Sequence, residues 1–419
     1  MIASKTKKRV FFLGVVWICI FILTVLLDAG LGFLGYSSKL PSRCVYPPGF
    51  KQTRRSIYEF ECQFEYNSQG IRYPEIPLGK ESADEVRFFL VGDSFTEGSG
   101  VEADETFGAN LERSFSQSGQ NVRFINGGIR GTEPLNQLRT LYTVGFHYDI
   151  DSVLICLYVN DLMGCPFDSA YTPESSWPPT PDGLAKILYK IYPRFFVIVM
   201  NLQHYYTNNR IQRGDSCDVV AEVSYQARKQ GVSEEAITKW KDSLPADLLA
   251  AANRFELNRS LLSLSLLSPD YLLECINITK PSSVILFKNM QMILNKMVQE
   301  CRDRSISVYA ILIPSVYMCD PNSVSPASSR NIPRPLVSES WLTETTPLQS
   351  GLQKWAEEAK VPFLDLTDTF REAVKKYPTP LYYPLDTHWT PLGHQVAGEA
   401  IRRWLDENQA ITKKNVLIK

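Results

Sequence analysis

Residues 87–100 read RFFLVGDSFTEGSG, an apolar run that stops at Gly92-Asp93-Ser94 and gives way to a turn-rich stretch. A strand with one face in water alternates apolar and polar residues, whereas one covered on both faces reads as a short continuous apolar run. The same signature recurs in VRFIN (122–126), SVLICLY (152–158), SVYAILIP (307–314) and VPFLDL (361–366). Helical patterns lie between these runs. ETFGANLERSFSQSG (105–119) sets Phe107, Leu111 and Phe115 four apart and ends at Gly119, as an amphipathic helix does. VILFKNMQMILNKMVQECRDRS (284–305) and LQSGLQKWAEEAK (348–360) also read as helices. Strands alternating with helices in both halves of the chain predict an α/β layer fold built on a mostly parallel sheet.

The remainder of the 419 residues divides around this frame. Residues 1–9 are a basic segment, with Lys5, Lys7, Lys8 and Arg9, expected on the cytoplasmic side. Residues 10–34 are expected to form a transmembrane anchor, because their uncharged run VFFLGVVWICIFILTVLL (10–27) is near the ~20 residues needed to cross a bilayer core. Positive charge ahead of the span predicts a cytoplasmic N-terminus and an exported remainder; a cleaved signal peptide is the rival reading. Residues 35–84 are rich in Pro, Tyr, Arg and Ser and read as an irregular lead segment with a short hairpin. The layered domain then runs over 85–164 and 284–411, with a tail at 412–419. Between its halves, 165–283 opens with YTPESSWPPTPDG and reads as a helical insertion or cap, with candidate helices near 186–204 and 233–275. Its Tyr205, Tyr206 and Trp240 would line a sugar cleft or form the insertion's own core, and the core is the simpler expectation.

Composition narrows the function. Lys plus Arg number 44 against 45 Asp plus Glu, so no net field recruits nucleic acid. None of the nine cysteines makes a CxxC or His–Cys cluster of zinc spacing, so no metal is expected. In an oxidising compartment Cys44 and Cys62 are the most plausible local pair, and Cys156, inside VLICLY, reads as a small buried hydrophobe.

Ligands of open parallel sheets collect beyond the carboxyl ends of the strands, which is where Ser94 falls. A phosphate loop would need a Lys after its glycines, and GDSFTEGSG has none. That leaves Ser94 as a nucleophile or, with Asp93, as a helix cap. Near the other end, LYYPLDTHWTPLGH puts Asp386 two residues before His388, ahead of a helix begun by Thr390 and Pro391. An extended backbone would aim both side chains at one face, letting Asp386 fix the His388 tautomer and leave the other ring nitrogen as a general base. The remaining histidines, His147, His204 and His394, have ordinary structural readings.

In this order, FFLVGDSFTEGSGV, INGGIRGTEPLNQL, LYVNDL and DTHWTPLGH resemble the four blocks of the SGNH (GDSL-type) hydrolase superfamily. YNSQGIRYPE is similar to a lead segment of its membrane-anchored bacterial members. The resemblance implies a flavodoxin-like three-layer α/β/α sandwich on a five-stranded sheet. It further implies Ser94 as nucleophile, His388 as base, Asp386 as its partner, and an oxyanion hole made by the amides of Ser94 and Gly131 and the side chain of Asn160. The family's common acid position, three before the histidine, is Leu385 here. The two-residue spacing followed by Trp389 is similar to the DxHW form found in some SGNH hydrolases and in alginate-type O-acetyltransferases. The span and the resemblance together imply a membrane-anchored extracytoplasmic serine esterase that needs no cofactor and takes an ester substrate, acylated carbohydrate included. The alternatives are O-acetyl transfer to an envelope or exported polysaccharide, and a catalytically silent carbohydrate-binding or assembly protein. Acyl length and oligomeric state are not legible.

Overall fold

The structure is a computed structural model and describes residues 2–34, 44–56, 59–164, 183–199, 218–254, 256, 259–324 and 336–411. These fall into two compact units: the N-terminal helix with segment 183–199, and the remaining described residues from Cys44 onward.

In the larger unit, β1 (Lys51–Ser56) and β2 (Phe60–Glu65) form an antiparallel hairpin in the lead segment. Five further strands build the central sheet: β3 (Val86–Gly92), β4 (Val122–Asn126), β5 (Ser152–Tyr158), β6 (Ser307–Ile313) and β7 (Phe363–Asp365). All its pairings are parallel, in the order β4-β3-β5-β6-β7. Counted within the sheet this is the flavodoxin-like 2-1-3-4-5 order. Helices Phe107–Gln117 and Pro391–Glu407 pack together on one face, while Pro134–Thr143, Pro281–Asp303 and Pro347–Ala359 cover the other. With both faces covered, β3 is buried from Arg87 to Gly92 and β6 from Val308 to Ile313, which is why these runs do not alternate. The chain leaves β3 for β4 on one side and returns across it to β5 on the other. The crevice of such a sheet opens at that reversal, past the carboxyl ends of β3 and β5.

The lead segment is fastened to this domain by a buried arginine. Arg72 donates from Nη1 to the carbonyls of Glu97 and Gly98 and from Nη2 to those of Gln63 and Val101, at 2.7–3.1 Å. Its guanidinium carbon sits 3.7 Å from the Phe64 ring centroid. Carbonyls buried without such a donor would each forfeit a hydrogen bond, so one planar cation settles four backbone groups at once.

Within the larger unit the described part of the insertion is helical, with helices Val219–Lys229, Glu234–Asp242, Ala246–Asn253, Arg259–Leu267 and Tyr271–Asn277, while its helix Gly183–Ile191 belongs to the smaller unit. Val219, Val223, Trp240, Leu248 and Leu262 make a small core there, and Trp240 Nε1 donates to Ser265 Oγ at 3.0 Å. Trp240 is therefore a core residue, as expected; Tyr205, Tyr206 and His204 lie outside the described residues. The expected Cys44–Cys62 bridge is not formed. Cys62 is a free thiol buried in the Phe64–Tyr66 cluster of the hairpin, and Cys44 Sγ lies 3.8 Å from Thr143 Oγ1. Cys156 is fully buried.

In the smaller unit, helix Ile2–Phe33 contains one stretch, Val15–Phe33, long and apolar enough to cross a membrane, with mean hydropathy 2.4. It fits a membrane anchor or a signal sequence alike. Asp28 accepts from the Phe195 N–H at 2.7 Å, and Thr24 Oγ1 lies 3.0 Å from the Tyr192 hydroxyl, which ties segment 183–199 to the helix.

His394 supplies a pH-dependent element of the larger unit. It is buried, its Nδ1 accepts the Phe107 N–H at 3.2 Å, and its ring stacks on Phe107. Burial, aided by the charges of Arg72 and His388, pushes its pKa down to about 3. An unfolded chain takes up that proton near its ordinary value, ~6.5. Between those two values the unfolded state holds the extra proton, so the neutral ring's contribution is complete above ~6.5 and declines as pH falls toward 3. Denaturant midpoints followed from pH 7 to 4 should fall more steeply for the wild type than for a His394→Asn variant.

Candidate active site

Strand β3 ends at Gly92, and the chain turns at once into a short helix, Ser94–Glu97. Asp93 is the cap of that turn, its Oδ1 accepting the Phe95 N–H at 2.9 Å. The cap role expected for either residue thus falls to Asp93 alone, and the Ser94 hydroxyl is left for another partner. Burial pushes the Asp93 carboxyl up to about 6. Asp161, at the end of β5, is buried as well and accepts from Gln137 Nε2 at 3.0 Å and the Tyr158 N–H at 2.9 Å.

The partner of Ser94 comes from 294 residues further along the chain. Ser94 Oγ and His388 Nε2 are 2.7 Å apart, and His388 Nδ1 is in hydrogen-bond contact with Asp386 Oδ1. Burial alone would raise the Asp386 carboxyl, but the charge and hydrogen bond of His388, with the charge of Arg54, hold it below the usual range. An ionised carboxylate only accepts. Nδ1 therefore donates to Asp386, and in the neutral ring that tautomer leaves Nε2 to accept the Ser94 O–H. The His388 ring is backed by Phe95 at 4.7 Å between centroids, and Phe95 meets the buried Trp389 edge to face.

The route by which Asp386 reaches His388 differs from the extended geometry expected from sequence. Residues 384–386 form a turn and Thr387 adopts φ +68°, in the left-handed region. Extended backbone would have served a spacing of two; here a β-branched residue is held in a conformation worth on the order of 1–3 kcal/mol of strain. Two bonds hold it there, Thr387 N–H to the Tyr383 carbonyl at 2.9 Å and Tyr383 N–H to the His388 carbonyl at 2.8 Å. Thr390 then caps helix Pro391–Glu407 through the Gly393 N–H, with Pro391 at its first position, as the sequence predicts.

Gly131 and Asn160 occupy the same edge. Asn160 lies in the turn Val159–Gly164 beyond β5, and Gly131 lies five residues past β4 with φ +66°; both are exposed. The direct contacts bring together Ser94, His388 and Asp386, and leave these two as neighbours along the rim.

The Gly131 loop is bound to the Ser94 turn by features without a sequence signature. Gly128 is packed so tightly that a Cβ there would stand 2.3 Å from the Glu97 backbone nitrogen. Asn126 Nδ2 donates to the Thr96 carbonyl at 2.8 Å, and Arg130 Nε pairs with the buried Glu97 at 3.0 Å. Tyr66 of the lead segment joins that pair, its O–H donating to Glu97 Oε1 at 2.7 Å while Arg130 Nη2 donates to its oxygen at 2.8 Å. In sequence Glu97 and Arg130 look like ordinary surface charges; only the NGG run hints that two backbones meet here. Among the described residues, no group of His, Cys, Asp and Glu side chains is arranged to hold a metal.

No protein-family model matches this chain, and no curated protein does either. Solved structures with some similarity include a putative lipolytic protein of the G-D-S-L family from Desulfitobacterium hafniense DCB-2, at 11% identity and TM-score 0.35 over 76% of this chain and 99% of that one. A lipase/acylhydrolase from Enterococcus faecalis matches at 13% identity and TM-score 0.36, covering 77% and 96%. A psychrotrophic esterase from Pseudoalteromonas sp. matches at 12% identity and TM-score 0.34, covering 76% and 98%. Likeness this slight does not speak to substrate or reaction.

Replacing Gly128 with Ala should push the Glu97 backbone aside and with it the Ser94 turn. The expected loss is ~1–3 kcal/mol of stability, read from urea unfolding, together with slower reaction of Ser94 with a fluorophosphonate probe.

Proposed function

We propose that this chain is a serine esterase that hydrolyses ester bonds through an acyl-enzyme. The observation that supports it best is the chain of hydrogen bonds from Ser94 to His388 to Asp386 at the carboxyl edge of a parallel sheet. A serine hydroxyl is a weak nucleophile at neutral pH and needs a base within hydrogen-bond reach. At 2.7 Å, His388 Nε2 meets that need. As Ser94 Oγ bonds to the ester carbonyl carbon, its proton passes to Nε2, and Asp386 stabilises the imidazolium that forms. The imidazolium then returns the proton to the departing alcohol. Water enters by the same route in reverse, and the acid leaves as Ser94 recovers its hydrogen. In this reading the amides of Ser94 and Gly131 and the side chain of Asn160 receive the oxyanion, where one lost donor costs ~10²–10³-fold in rate.

The N-terminal helix serves as a membrane anchor in this proposal, with the basic residues before it cytoplasmic and the esterase domain on the extracytoplasmic side. The two-residue spacing of Asp386 and His388, with Trp389 next in the chain, favours a second reading for the deacylation step. A hydroxyl of an envelope or exported polysaccharide takes the place of water, and the enzyme moves an acetyl group instead of hydrolysing it.

Ser94→Ala should lower turnover of p-nitrophenyl acetate by ~10³-fold or more while leaving the melting temperature within a few degrees. A fluorophosphonate probe should label the wild type and not the variant. Undiminished turnover in Ser94→Ala would overturn the reading. Adding acetylatable oligosaccharide separates the two acceptors, since transfer predicts acetylated sugar at the expense of free acetate.

A further inference from the structure

The loop carrying Asp386 is held from two sides by parts of the chain that lie outside the four motif blocks. On one side stands Glu59, which immediately precedes β2 in the lead hairpin. Its Oε1 accepts the N–H of Leu385 at 2.5 Å and its Oε2 accepts the N–H of Asp386 at 3.0 Å. The carboxylate is itself aimed by Ser56, whose Oγ–H donates to Oε2 at 2.6 Å. On the other side, the Leu385 side chain is buried among Val219, Val223, Trp240 and Leu248 of the insertion. The residue before the acid is thus gripped at its amide by the hairpin and at its side chain by the insertion.

We propose that Glu59 is a positioning residue of the active site, fixing the backbone at Leu385–Asp386 so that the Asp386 carboxylate stays on His388 Nδ1 while a proton moves through the ring. This rests on the serine-esterase reading of Ser94, His388 and Asp386. Two features of the contact argue for it. First, two adjacent N–H groups converge on one side chain, and only a carboxylate offers both of them an acceptor on a single plane. Second, a fastening with no other task would avoid a second anion beside Asp386. Here one is present, desolvated, and repelled by Asp386. The loop also needs an external hold, because Thr387 sits in a left-handed conformation that its own preferences oppose.

The test uses the full-length chain in detergent, with p-nitrophenyl acetate as substrate, and compares Glu59→Gln, Ser56→Ala and Ser94→Ala with the wild type. A glutamine keeps the shape but offers one acceptor and turns an NH₂ toward the second N–H. Glu59→Gln should lower kcat ~10–100-fold, the scale expected of a small misplacement of a reacting group, with KM within about twofold of wild type. Phosphonylation of Ser94 by a fluorophosphonate should slow in parallel. Near-UV circular dichroism and the melting curve report the folded fraction, and in a Glu59→Gln protein that folds, a kcat deficit that vanishes once corrected for that fraction overturns the proposal. So does a Glu59→Gln kcat within twofold of wild type. If Glu59→Gln does not fold, Ser56→Ala decides. A fall of ~2–5-fold in kcat at constant KM, consistent with losing one modest hydrogen bond, supports the proposal, and an unchanged kcat overturns it. An inactive Ser94→Ala beside an unimpaired Glu59→Gln removes only the role of Glu59. A fully active Ser94→Ala removes the esterase reading and this inference with it.

Discussion

A single imidazole ring makes two hydrogen bonds, one to each of two residues that stand at opposite ends of the domain in sequence, and the architecture is arranged around keeping that ring in place. His388 has Asp386 on one nitrogen and Ser94 on the other. Ser94 is delivered from far along the chain by a buried strand, and Asp386, two residues away, by a turn that Thr387 would not adopt unaided. Parallel strands end abruptly and at a common level, so the sheet supplies a rim on which loops from distant segments can meet. Phe95 and Trp389 supply the wall behind the ring.

Much of that frame is legible in the sequence because burial on both faces leaves a plain mark. The runs at 122–126 and 152–158 are the strands observed, and the others differ by a residue or two at their ends. Thr390 and Pro391 announce the last helix because the cap and the first helical position each demand a particular residue type. The spacing of Asp386 and His388 likewise points to their contact.

The manner of holding is not legible. Glu59, Arg72, Glu97 and Arg130 are charged residues scattered over the first third of the chain, and charges in a sequence read as solvated surface until their partners are known. Arg72 settles four carbonyls, and Glu97 joins Arg130 to Tyr66; each of these is a long-range pairing without a local pattern. The left-handed Thr387 is hidden for the opposite reason, since local preference argues against it. The expected link of Cys44 to Cys62 fails because proximity in sequence says little when one of the two is committed to a strand packed in its own cluster.

Leu385 occupies the place where the commoner pattern of the resembled family carries its acid, and it packs instead into the apolar interior of the insertion. A helical insertion that borrows one of its interior side chains from elsewhere is incomplete by itself. Cut out of the chain, helices Val219–Lys229 to Arg259–Leu267 would close around a vacancy of leucine size. The insertion and the Asp386 turn therefore share one packed interior, and a different insertion in this place would need a matching residue at 385.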